Sequence, residues 1–68
     1  MIAASDRIAE TIKLSRPAHR ALMAAGIVSF ADLTKWTRQD IANLHGIGAR
    51  TFVFLEPAMV ERGVTFKA

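Results

Sequence analysis

Leu44-His45-Gly46-Ile47-Gly48-Ala49-Arg50-Thr51 places a tight turn between two helix-forming segments of this chain. Two glycines flank one apolar residue, with an amphipathic segment on either side. Gly46 and Gly48 open backbone angles closed to other residues, so the chain can reverse within three positions. Ile47 is expected to point inward and pin the turn to a core. Gly48 falls where a helix would start, which leaves the amides of Ala49, Arg50 and Thr51 unpaired and directed outward. Such a helix start is a ready site for a phosphate oxygen. Arg50 lies in that first turn, where the helix dipole prefers an acid. The same placement suits an anionic partner.

Back from the hairpin, Thr37 with Asp40 and Ser29 with Asp32 each match a capping box. They predict a short helix from about Phe30 to Lys35 and another that turns Ile41 and Leu44 inward. Trp36, between the caps, is expected to cover the junction. Earlier still, Ser15-Arg16-Pro17 opens a helix over Arg16 to Ala25, with Ala18, Ala21, Leu22 and Ala25 at helical spacing. Gly26 is its left-handed stop and Ile27 the apolar closer. Residues 1–13 form an N-terminal extension that reads two ways. It is either a short helix capped by Ser5, with Ile8, Ala9 and Ile12 on one face, or a frayed end.

Beyond the hairpin a last helix starts at about Ala49, with Phe52, Leu55, Ala58 and Met59 on one face. Gly63 stops it, and Val64 and Phe66 fold back as apolar closers. Pro57 removes an amide and clashes with the carbonyl four residues earlier, so a kink or a break is expected there. Val53 and Phe54 then face outward, unless the kink turns the helix and buries them. The whole is all-α: four to five short helices, no strand signal and no domain boundary within 14–68.

The totals narrow the function classes. Sixty-eight residues make one small domain, and with no cysteine neither a disulfide nor a thiolate metal site can staple it. The longest apolar run, Ala21 to Val28, is too short to span a bilayer. The N-terminus lacks the basic start and apolar core of a signal peptide. A cytoplasmic protein with no membrane partner is expected. His19 and His45 lie far apart with no third ligand at suitable spacing, so no metal or cofactor is expected. No nucleophile, base and orienting group can be assembled, and the domain is small for a substrate pocket. Neither an enzyme nor a small-molecule substrate is expected. The net charge of +3 leans toward a polyanion. Its distribution says more: five Lys/Arg (Arg16, Arg20, Lys35, Arg38, Arg50) against two acids (Asp32, Asp40) lie between Leu14 and Phe54.

The order of helices around a Gly-Ile-Gly hairpin resembles the helix-hairpin-helix group, a SAM-like arrangement. More closely the chain resembles the C-terminal domain of the bacterial RNA polymerase α subunit and small stand-alone bacterial proteins like it. The residues that carry the likeness are Arg16-Pro17-Ala18-His19-Arg20-Ala21-Leu22, Ala25-Gly26-Ile27, Leu33, Leu44-His45-Gly46-Ile47-Gly48 and Arg62-Gly63-Val64-Thr65-Phe66. They run without a gap from about Leu14 to Phe66. The resemblance implies contact with double-stranded DNA through the minor groove and adjacent backbone, from the first core helix and from the hairpin with the helix after it. Carried over by position, Arg20, Gly48, Arg50 and Thr51 match the DNA-facing set, Gly46 belongs to the hairpin, and Arg16 stands one residue before Pro17. Pro17 itself occupies the place of the main groove-inserting arginine, so that contact is absent here. Phe54 stands where a polar groove-side residue belongs.

Two readings follow. In one, Arg16, Arg20, Gly46, Gly48, Arg50 and Thr51, with Arg38 or Lys35 in support, hold duplex DNA weakly, salt-sensitively and without strong sequence preference. No Asn/Gln/Arg set lies along a recognition helix to read bases. In the other, Val53 and Phe54 form a patch for a protein partner or a second copy.

Overall fold

The computed structural model describes residues 2–68; Met1, the first residue of the expected extension, lies outside them. Five helical segments and no strand occur among the described residues: α1 (Ile8–Thr11), α2 (Arg16–Ala24), a 3₁₀ segment (Phe30–Lys35), α3 (Arg38–Ala42) and α4 (Ala49–Glu61). They pack into a body of 30 × 25 × 21 Å.

Side-chain caps place the middle elements. Ser15 precedes α2 and its hydroxyl accepts from the Ala18 amide, with Pro17 in the first turn. The Asp32 carboxylate accepts from the amides of Val28 and Ser29 at 2.9 and 3.0 Å. Thr37 and Asp40 exchange the reciprocal pair before α3, at 3.2 and 3.0 Å. Both long helices end in the same device. Behind α2, the Ile27 and Gly26 amides reach the Leu22 and Met23 carbonyls; behind α4, Val64 and Gly63 reach Met59 and Val60. Each cap then drives its apolar closer, Ile27 or Val64, into the core.

That core is built from Ile8, Leu14, Ala18, Leu22, Ile27, Phe30, Leu33, Ile41, Phe52, Leu55, Ala58, Met59 and Val64. Trp36, Leu44, Ile47 and Phe66 pack against it half-buried, so Ile47 does pin the hairpin. Phe66 meets Phe52 edge-on at 6.1 Å. The Trp36 carbonyl accepts from the Lys67 amide, which ties the chain's end to the junction between the 3₁₀ segment and α3.

Three sequence expectations need correction. Ser5 does not cap α1: Arg7 holds that position without a side-chain bond, Ala9 is exposed, and Ile12 lies beyond the helix end. The first residues are nonetheless not frayed. Residues 4–8 run antiparallel to 28–31, through Ile8 N–H to the Val28 carbonyl, Phe30 N–H to Asp6 and Ala31 N–H to Ala4. Of the kink or break expected at Pro57, the break does not occur: α4 runs continuously from Ala49 to Glu61. Pro57 is on the exposed side, where water can take the carbonyl bond it forfeits, while the buried face of Leu55, Ala58 and Met59 stays in register.

The two ends of the chain are joined by one side chain. Arg62, at the C-terminus of α4, has a side chain only 7% exposed. Its Nε and Nη2 each lie 3.1 Å from one carboxylate oxygen of Asp6, and Nη1 donates to the Ala58 carbonyl at 2.9 Å. Its guanidinium carbon is 4.5 Å from the centre of the Phe30 ring. A cation there also suits the negative end of the helix dipole.

Asp6 and Asp32 are both held below the usual carboxylate range. For Asp6 the Ala3 amide is the chief cause, aided by Arg62; for Asp32 it is the Ser29 and Val28 amides. A carboxylate with a lowered folded-state pKa stabilises the fold above the unfolded value of about 3.9, and that contribution fades as pH falls through the lower folded value. Melting temperature should therefore be level from neutral pH to about pH 5 and drop steeply below about pH 4. In Asp32→Asn the drop should be shallower and the neutral-pH plateau lower. Circular dichroism melts from pH 2.5 to 7 check this; parallel profiles for the two proteins would refute it.

Candidate nucleic-acid interface

The hairpin is held against the start of α2. Gly46 has φ +102°, a backbone region L side chains rarely adopt, and a Cβ there would lie 2.6 Å from the Pro17 carbonyl oxygen. Gly46 is therefore required twice, by its angle and by the close approach of α2. Gly48 is different. Its φ of −114° and ψ of 174° are ordinary extended backbone, and a Cβ built there meets nothing within 4 Å. The expectation that both glycines supply special angles holds only for Gly46. What the absent side chain at Gly48 does provide is open access to the backbone at the start of α4.

Beside this point a hollow of about 80 Å³ separates the starts of α2 and α4, lined by Lys13, Leu14, Ser15, Arg50, Thr51 and Phe54. Two cations and two hydroxyl side chains line it, and no acid does. At ~30 Å³ of liquid volume per water, it has room for the oxygens of one anionic group. It is well short of the ~300–1,000 Å³ of a small-molecule site.

The site residues expected from sequence do not all converge. Arg50 lines the hollow; Arg16 is in the first turn of α2, exposed, next to the Pro17 that touches Gly46. Arg20 is one turn further along α2, also exposed, and does not line the hollow. Thr51 is 6% exposed and its amide donates to the Gly48 carbonyl at 3.0 Å, so the outward amides are those of Ala49 and Arg50 alone. Its hydroxyl makes no hydrogen bond among the described residues yet is not wholly enclosed, which leaves it at the wall of the hollow. Arg38 is taken elsewhere: its Nε lies 3.2 Å from Glu56, and its guanidinium is 4.2 Å from the Phe52 ring centre.

Lys13 is the cation that the sequence reading passed over. It lies two residues before the Ser15 cap, outside any motif. Its signal was only its place in the connection leading into α2.

The histidines take structural and surface positions. His19 Nε2 accepts the Leu14 amide at 3.1 Å, which fixes the turn into α2 and requires that nitrogen to be unprotonated. His45 is exposed, and its side chain makes no hydrogen bond among the described residues. Among the described residues no group of three or more His, Asp or Glu could hold a metal ion, and no helix is long and apolar enough to cross a membrane. Val53 and Phe54 remain 66% and 49% exposed, so the unbroken helix does not bury them.

No family model, curated protein or solved structure matches this chain.

Proposed function

We propose that this chain is a helix-hairpin-helix domain, similar to the polymerase α C-terminal domain, that binds duplex DNA through its phosphate backbone along the minor groove. It acts as a binding module and not as a catalyst. The observation that carries the reading is the hollow between α2 and α4, where Lys13 and Arg50 stand together with the Ser15 and Thr51 hydroxyls and no counter-charge. Two cations beside an acid-free hollow repel one another, and an anion relieves that. Gly48 adds access: a phosphate oxygen can come within hydrogen-bond distance of the Ala49 and Arg50 amides without meeting a Cβ. Arg16 and Arg20 extend the positive surface along α2.

Three neutralised phosphates, at Lys13, Arg16 and Arg50, correspond to a log–log salt slope of about −2.7. Binding is therefore weak and suited to a protein that acts in several copies or beside another DNA-binding part. Anisotropy titration of a labelled duplex at two salt concentrations tests the reading. Arg50→Glu should lower affinity about tenfold or more and make the slope shallower by about 1. Gly48→Ala should also weaken binding, while costing the fold under about 1 kcal/mol because its conformation is ordinary. Absence of salt-sensitive binding at tens of micromolar, or an Arg50→Glu curve identical to wild type, would sink the proposal.

A further inference from the structure

The outer face of α4 is composed in an unusual way. Seven of its thirteen residues are exposed: Ala49, Arg50, Val53, Phe54, Pro57, Val60 and Glu61. At 100° per residue they fall on one arc opposite the buried Thr51, Phe52, Leu55, Ala58 and Met59. Five of the seven are apolar, and Val60 is 77% exposed. A helix apolar on both faces is ordinarily buried on both. Here only one face meets the core.

The two charges say what covers the other. Arg50 sits at the N-terminal end of α4 and Glu61 at the C-terminal end, each on the wrong side of its own helix dipole. Neither takes part in an ion pair among the described residues. We infer that this face pairs with α4 of a second copy of the chain, antiparallel about a two-fold axis level with the step between Leu55 and Glu56. In that arrangement Arg50 faces Glu61 of the second copy and Glu61 faces its Arg50. Each charge then lies beside the helix end that attracts it. The register that matches the charges also sets Phe54 level with Pro57 of the second copy, and brings Val53 and Val60 onto the same flank of the contact, two residues out of level. A two-fold contact must be self-complementary, and the charged pair and the Phe54–Pro57 pair meet that condition. A foreign partner would not require the charges to invert along one helix.

The face is modest in size. A standard interface takes about 800 Å² from each partner, against the 4601 Å² that this chain exposes, and one helix face supplies part of that. Pairing is therefore expected to be weak. Arg50 and Phe54 belong to both this face and the anion hollow, so pairing and DNA contact compete for them, whereas Val60 and Glu61 do not line the hollow and report on pairing alone.

Sedimentation equilibrium over 10 µM to 1 mM tests it. Wild type should rise from 7.4 kDa toward twice that mass. Val60→Ser and Glu61→Arg should each stay near monomer mass across the range. The double exchange Arg50→Glu with Glu61→Arg should pair again. In dilute solution, where only monomer is present, Glu61→Arg should melt no lower than wild type, since it suits its own helix end better. This shows that lost pairing is not lost folding. A wild-type mass of 7.4 kDa at 1 mM, a Val60→Ser protein that pairs as wild type does, or a double exchange that stays monomeric would each overturn the inference.

Discussion

Gly46→Ala should leave no cooperative thermal transition at room temperature. A non-glycine residue held at positive φ costs about 1–3 kcal/mol in strain. The added Cβ also meets the Pro17 carbonyl oxygen at 2.6 Å, and that oxygen is backbone and cannot swing aside as a side chain could. Relief requires α2 to move from the hairpin, for which overpacking costs of about 1–3 kcal/mol are the guide. Together these match the ~3–5 kcal/mol that a core of this size supplies. Far-UV circular dichroism against temperature is the measurement, with Gly48→Ala as its control two residues away. Near-equal midpoints for the two alanine variants would show that the hairpin does not press on α2 as described.

Removal of residues 1–12 should be nearly as damaging, although these residues lie outside the helical hairpin and its caps. Ile8 is 2% exposed and lies beside Leu22 and Ile27. Truncating a buried isoleucine to alanine costs about 2–5 kcal/mol, and deletion also removes the backbone bonds to Val28, Phe30 and Ala31 and the Asp6 partner of Arg62. The shortened chain is expected to show collapsed amide dispersion by NMR, with Ile8→Ala folded but markedly less stable. A shortened chain with a wild-type-like spectrum would show that the segment is an accessory and not part of the core.

Much of the architecture was legible because it is written in local chemistry. Caps at Ser15, Ser29 and Thr37 and stops at Gly26 and Gly63 act within four residues, so their spacing alone locates the helix ends. Burial of Phe30, Leu33, Ile41, Phe52 and Leu55 followed from helical periodicity. What was not legible depends on neighbours distant in sequence. Ile8 acquires its place only because 28–31 supplies an edge for residues 4–8 to lie along. Pro57 is accommodated because its side of α4 faces water, which position in the helix cannot reveal. At the candidate site, Arg50 and the hairpin were readable from the turn, but Lys13 came into view only once α2 and α4 were set side by side. The Thr51 amide, expected to be unpaired, bonds to the Gly48 carbonyl because the first turn of α4 closes on it.

The Arg62–Asp6 contact spans 56 positions of a 68-residue chain. Closing so long a loop carries more chain entropy than forming the hairpin or the short-range caps, and nothing rewards it until both ends of the core are in place. The order of assembly follows: α2, the 3₁₀ segment, α3 and α4 gather first through near neighbours, and the seam between the termini shuts last. Its opening is expected to loosen the neighbouring segment 4–8 as well, so amide exchange at Phe30 and Ala31, whose hydrogens bond to the Asp6 and Ala4 carbonyls, is the measurement that registers it. The outermost elements of the chain thus set how long the middle stays shut.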